Sequence, residues 1–133
     1  AWNGYEKLCF GQDELNPISG TCYRWVYQGL TIVDSLDTML IMGLTDIFKR
    51  ARDWVDQSLV FDATERPVSF FETIIRVLGG LLSTYEMTKD VMFLDRARDL
   101  AIRLMPAFET PSGFPRAKID LKNGRTSSPA WMR

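Results

Sequence analysis

The phrase "FKRARD" at 48–53 returns as "FLDRARD" at 93–99, which places Phe48 and Phe93 45 positions apart. Each copy lies in an amphipathic segment. In the first, Ile47, Phe48, Ala51, Val55 and Leu59 recur at helical spacing, while Lys49, Arg50, Arg52, Asp53 and Asp56 fall off that stripe. Thr45 reads as its N-cap. The second, "DVMFLDRARDLAIRLM" (90–105), has the same character and is stopped by Pro106. Each is preceded by a segment apolar almost all round: "GLTIVDSLDTMLIMGL" (29–44) and "FFETIIRVLGGLLSTYEMT" (70–88). A helix apolar on every side is buried on every side, so the pattern predicts a dry inner helix followed by a half-wet outer helix, twice. Two such hairpins close nothing by themselves, because dry inner helices need partners on both flanks. They belong to an all-α architecture, either an open solenoid or a closed α/α toroid. In a toroid, polar side chains on inner helices point into the central cavity.

The remaining segments read as connections. A first helix spans about 2–10, and "GQDELNPISGTC" (11–22) is a loop by its Gly, Pro, Asn and Ser content. "FDATERPVS" (61–69) is another loop, with Ser69 set to cap the helix after it. "TPSGFPRAKIDLKNGRTSSP" (110–129) is a long connection with room for short extended pieces. A length of 133 residues suits one domain with a real core. Net charge is −1 with mixed signs, so no nucleic-acid footprint or membrane-surface patch stands out. No apolar run approaches the ~20 residues of a membrane span. With no histidine and no C-x-x-C, the chain holds neither a zinc site nor a histidine-based nucleophile. Cys9 and Cys22 either close a small disulfide loop in an oxidising compartment or are two buried thiols. The opening "AWNGYEKL", without initiator Met or leader, and the ending "SSPAWMR" read as part of something longer.

The charges on the inner segments demand a reason. Glu72 and Arg76 are the only charged residues between Val68 and Tyr85. A buried carboxylate is costly unless paired or solvated. One reading is an i,i+4 ion pair in the favourable Glu-before-Arg order. The other is a carboxylate and a guanidinium one turn apart lining a polar hole, the first to transfer a proton and the second to hold a hydroxyl-rich ligand. On the other inner segment, Asp34 is the better candidate for a cavity-facing group. Asp37 is expected to bond Thr38 or a neighbouring loop. Gly79 and Gly80 each cost about 1 kcal/mol against Ala in a helix, which points to close approach of a neighbour. Trp2, Trp25, Trp54 and Trp131, with the methionines, read as core rather than as sugar platforms.

Taken together, "AWNGYEKL" (1–8), "GQDELNPIS" (11–19), "GLTIVDSLDTMLIMGL" (29–44), "FFETIIRVLGGLLSTYEMT" (70–88) and "RLMPAFETPSGFP" (103–115) resemble the class I α-mannosidases, the α-1,2-mannosidases of glycoside hydrolase family 47. The resemblance implies an (αα)7 barrel, of which residues 1–133 are the N-terminal portion of a single catalytic domain, incomplete in this chain. It implies Glu72 as a catalytic carboxylate on the acid side, Arg76 and Asp34 as substrate-binding residues, and a calcium ion whose protein ligand lies outside this chain. It also implies high-mannose N-glycans as partners and the ER or Golgi lumen as the setting. Hydrolysis would be inverting, with two carboxyl groups about 6.5–9.5 Å apart around a water, and contact between Arg76 and Glu72 indirect or shared with substrate. Two residues depart from the family pattern: Gln12, where a histidine is frequent, and Arg116, where an aromatic is common, which bears on how branched glycans dock. Two other readings compete. One is a mannosidase-like glycoprotein-binding relative serving degradation, with weak or no hydrolysis. The other is a helical protein-binding repeat, against which charges on inner helices argue.

Overall fold

The computed structural model describes residues 1–130, so Trp131 lies outside the described residues. Helix α1 (Trp2–Cys9) leads into a hairpin of β1 (Glu14–Leu15) and β2 (Cys22–Tyr23), antiparallel with Glu14 opposite Tyr23. Two helical hairpins come next. The first pairs α2 (Leu30–Ile41) with α3 (Thr45–Ser58). The second begins with a continuous helix over 70–88, made of α4 (Phe70–Glu72), a π-helical turn (Thr73–Leu78) and α5 (Gly79–Thr88), and returns through α6 (Val91–Leu104). A 3-10 turn (Met105–Phe108) ends it. Strands β3 (Val68–Ser69), β4 (Lys118–Ile119) and β5 (Thr126–Ser127) then make a small antiparallel sheet in that order, with Val68 opposite Ile119 and Ile119 opposite Thr126.

The core is the seam between the hairpins. Ile32, Val33 and Leu36 of α2, Ala51 and Val55 of α3, Val77 of the π-turn, Leu81 of α5, and Phe93, Ala97 and Leu100 of α6 are all buried. The two copies of the repeated phrase meet there: the rings of Phe48 and Phe93 lie 6.2 Å apart, tilted. Outside the seam the charges pair on the surface as the stripe predicts, and Arg52 donates to Asp90 at 2.8 Å across the two hairpins. The Asp90 carboxylate also caps α6 through the Met92 N–H, 3.1 Å away.

Several boundaries differ from the sequence reading, each for a local reason. Thr45 is the first helical residue of α3 rather than its cap, which is Leu44. The turn before it is set instead by Gly43 at φ +67°, whose conformation lets the Leu44 N–H reach the Met39 carbonyl at 2.9 Å and ends α2 at Ile41. Ser69 does cap its helix, accepting from the Glu72 N–H at 3.3 Å. The stretch 11–22 contains the β1–β2 hairpin rather than loop alone, and Cys9 and Cys22 form a disulfide across it. The inner helices are not buried on every side. Ile41 on α2, and Phe71, Ile75 and Leu82 on the helix 70–88, are exposed among the described residues. Each inner helix is covered by its own outer helix and by the other inner helix, and shows its remaining face.

Of the two glycines expected to mark a close contact, only Gly80 does. A Cβ on Gly80 would stand 2.9 Å from the Val33 carbonyl oxygen of α2, whereas one on Gly79 would meet nothing closer than the Ile74 oxygen of its own helix at 3.5 Å. The two alanine substitutions should therefore act in opposite directions. Gly79→Ala should leave thermal stability unchanged or raise it by up to about 1 kcal/mol through lost unfolded-state entropy. Gly80→Ala should lower stability by about 1–3 kcal/mol, since backbone must shift to admit the methyl. Denaturant unfolding of the two variants in the whole protein checks both signs; a stabilised Gly80→Ala would contradict the packing described.

Candidate active site

The site is assembled on α2 and on the helix 70–88, and its support starts at Asp13. The Asp13 side chain is 1% exposed. Its Oδ2 accepts the backbone N–H groups of Trp25, Val26 and Tyr27 at 2.8, 2.8 and 2.7 Å, and its Oδ1 accepts those of Gln28 and Leu30 at 3.0 and 3.2 Å. The Asp13 carbonyl oxygen takes the Thr31 hydroxyl at 2.6 Å and the Thr31 N–H at 3.0 Å. The segment 25–30 cannot pair its own amides while it turns into α2, with Tyr27 and Gly29 in the left-handed region. One buried carboxylate satisfies them instead, and its negative charge sits at the positive end of α2. Across the same loop, the indole of Trp54 packs where side chains at Gly11 and Gly29 would otherwise stand: a Cβ on Gly29 would be 2.3 Å from its Cη2.

This loop delivers Trp25. Its indole N–H donates to Glu14 Oε1 at 3.1 Å, and the Arg76 guanidinium carbon sits 5.5 Å from its ring centroid. Arg76, reaching from the helix 70–88, donates to Asp34 of α2 through Nε at 2.7 Å and approaches the same Oδ2 through Nη2 at 2.6 Å. Glu72 lies one turn before Arg76, with Oε2 3.7 Å from Nη1, an ion-pair separation but not a hydrogen bond. Asp34, Glu72 and Arg76 side chains are each about one-third exposed, so all three line a surface that solvent or a ligand reaches. Asp37 accepts the Ser83 hydroxyl at 2.9 Å and is 3.5 Å from Thr38, which makes it a tie between the inner helices.

The three residues singled out in the sequence thus come together in one cluster. A direct Glu72–Arg76 pair, the simpler explanation of those two charges, is not the main contact, because Arg76 is committed to Asp34. Chemically, the arrangement offers a carboxyl group beside a guanidinium that is already neutralised and oriented, with N–H donors left for a polar ligand.

The sequence profile of glycosyl hydrolase family 47 matches residues 1–133. The chain belongs to glycosyl hydrolase family 47. Among its relatives, the endoplasmic reticulum mannosyl-oligosaccharide 1,2-alpha-mannosidase of Mus musculus is 49% identical over 131 residues, covering 98% of this chain and 20% of the relative. The mannosyl-oligosaccharide 1,2-alpha-mannosidase MNS1 of Arabidopsis thaliana is 50% identical over 133 residues, covering 98% and 23%. An alpha-1,2-mannosidase structure from Trichoderma reesei superposes with a TM-score of 0.88 at 32% identity, covering 97% of this chain and 30% of that one. The chain therefore spans about a fifth of the length of the curated relatives it matches. Its hairpins have the fold of the matching part of that α/α barrel.

Two residues of this candidate site escape the sequence reading. Asp13 stands inside "GQDELNPIS", where composition marks only a loop. An acidic residue shortly ahead of a glycine-entered apolar helix is the signal that could find it. Trp25 reads as core on frequency, and only its neighbour Arg76, far along the chain, gives it a place at the site. Replacing Asp13 with Ala strands five amides and should cost about 3 kcal/mol or more, lowering the melting temperature by several degrees. Asp13→Asn should recover only part of that loss, since its NH2 faces donors. Differential scanning calorimetry of the two variants decides it; wild-type melting of Asp13→Ala would show that the carboxylate is no clamp.

Proposed function

We propose that this chain supplies the acid-side carboxylate and one wall of the mannose pocket of an inverting α-1,2-mannosidase acting on high-mannose N-glycans. The observation that carries this reading is the Glu72 carboxyl held beside, but not bonded to, an Arg76 guanidinium that Asp34 and Trp25 fix. The relatives named as mannosyl-oligosaccharide 1,2-alpha-mannosidases support the substrate class. Glu72 protonates the departing glycosidic oxygen, directly or through a water, while a second carboxylate activates water on the opposite face of the sugar. Arg76 and Asp34 hold sugar hydroxyls, the guanidinium as a fork of donors and the carboxylate as acceptor.

The resemblance to the family brings a calcium ion into the proposed site. Among the described residues, no group of three or more Cys, Asp or Glu is placed to hold a metal. The ion's protein ligand and the general base are proposed to lie outside residues 1–133. The setting proposed is the ER or Golgi lumen, in keeping with the names of the ER relatives and with the Cys9–Cys22 disulfide, since such bonds persist in oxidising compartments. No helix among the described residues is long and apolar enough to cross a membrane.

In the whole protein, Glu72→Gln should reduce mannose release by about 10²–10⁴-fold while glycan binding persists. Undiminished turnover would end its role as the acid. Asp34→Asn and Arg76→Ala should each weaken affinity for a non-hydrolysed mannose disaccharide, by about ten-fold or more for a lost charged hydrogen bond. If calorimetric titration showed affinity intact and only melting lowered, the pair would be scaffold.

A further inference from the structure

Tyr27 stands in the left-handed backbone region at φ +62°, a conformation that suits glycine and strains a large side chain. The Asp13 carboxylate enforces it, accepting the Tyr27 N–H at 2.7 Å together with the amides on either side. That clamp uses only the backbone, so it would serve a glycine at 27 equally well. Strain at such a position persists where the side chain has work that offsets it. Packing is not that work. Tyr27 is half-buried, but it belongs neither to the core nor to the partly buried apolar side chains packed against it. Among the described residues its hydroxyl has no hydrogen-bond partner, and only its N–H is bonded.

Tyr27 borders a cavity of about 190 Å³, shared with Gln12, Arg24, Trp54, Ser58 and Glu65. The cavity lies between the β1–β2 hairpin with its following loop, the end of α3, and the connection after α3. Trp54 lies across Gly11 and Gly29, and its indole N–H bonds none of the described residues. Arg24 donates through Nε to the Gln12 side chain, which orients the guanidinium and leaves its Nη groups free among the described residues. The lining thus combines two aromatic residues, a fork of N–H donors, a carboxylate and a hydroxyl. Arg24 and Glu65 carry opposite charges, so the cavity favours neither an anion nor a cation. A neutral hexose matches the whole set. Its C–H faces lie on aromatic rings, and its hydroxyls accept from guanidinium and indole and donate to the carboxylate. The same clamped loop brings Trp25, two residues before Tyr27, to Arg76. The cavity and the candidate active site therefore share one rigidly held segment.

We propose that this cavity is a second sugar subsite, which holds a hexose of the oligosaccharide away from the bond being cleaved, with Tyr27 as its aromatic contact. Its ligand class rests on the mannosidase reading given above.

The test uses the whole protein carrying Glu72→Gln, so that sugars stay intact, and calorimetric titration with two probes. One is a branched high-mannose oligosaccharide and the other an α-1,2-linked mannose disaccharide. Tyr27→Gly removes the ring and suits the backbone, so its melting temperature should be unchanged or raised. Its affinity for the oligosaccharide should fall by about three- to ten-fold, while that for the disaccharide stays within about two-fold. Arg24→Ala, at an exposed position, should reproduce the contrast. Unchanged oligosaccharide affinity in both variants, or equal loss for both probes, would overturn the proposal. Should Tyr27→Gly melt well below its parent, the ring is structural and the Arg24→Ala contrast decides alone. If the unsubstituted protein released no mannose while the contrast persisted, the catalytic reading would fall and the subsite would stand. A lost contrast with mannose release intact strikes the subsite alone.

Discussion

Asp13 binds five backbone N–H groups with two oxygens, and the α2 side of the site is hung from that contact. The loop 25–30 has to turn the chain from β2 into α2 with two residues in the left-handed region, and its amides point inward with nothing of their own to bond. A neutral side chain offers fewer acceptor sites and no charge for the helix dipole. With the carboxylate in place, α2 starts at a defined residue and angle, Trp25 presents its ring face, and Asp34 arrives one turn into the helix. The Cys9–Cys22 bond ties the base of the same hairpin to α1. The Gln12 side chain accepts from Arg24 across that hairpin. The support is therefore covalent at one end and electrostatic at the other.

The second hairpin meets the first through a small set of contacts of different kinds. Gly80 admits the α2 backbone, Ser83 bonds Asp37, and Arg76 bonds Asp34, all along one face. The first is steric and sets distance, the second sets register, and the third places the charge. Arg76 bonds Asp34 at hydrogen-bond distance and reaches Glu72 at a longer ion-pair separation of 3.7 Å.

Much of this is legible in the residues alone. The recurring phrase at 48–53 and 93–99 marks the hairpins, and the isolated charges at Asp34, Glu72 and Arg76 mark the side chains that meet. What stays hidden depends on partners distant in the chain. The bond of Arg76 to Asp34 joins two helices 42 residues apart in the chain, which apolar periodicity over 70–88 does not resolve. The clamp at Asp13 is read by amides, which carry no residue identity. The strand pairing of 68–69 with 118–119 joins segments too short and too polar to announce themselves. The exposed faces of Phe71, Ile75 and Leu82 show the limit of composition, since an apolar residue records what a position can be packed against rather than what packs on it.

Asp34 and Arg76 are 42 residues apart, and each sits on a helix whose own turns are held by neighbours four or five residues away. Local winding closes quickly, while contact between distant segments must first meet the entropy of the intervening chain. The helices can therefore exist before the site does, and also after it is lost. A variant that undocks the two hairpins would keep nearly all its amide hydrogen bonds and its far-ultraviolet spectrum, yet hold no ordered guanidinium beside Glu72. For this chain, helical content measures the scaffold, and the surroundings of the Trp25 indole measure the site.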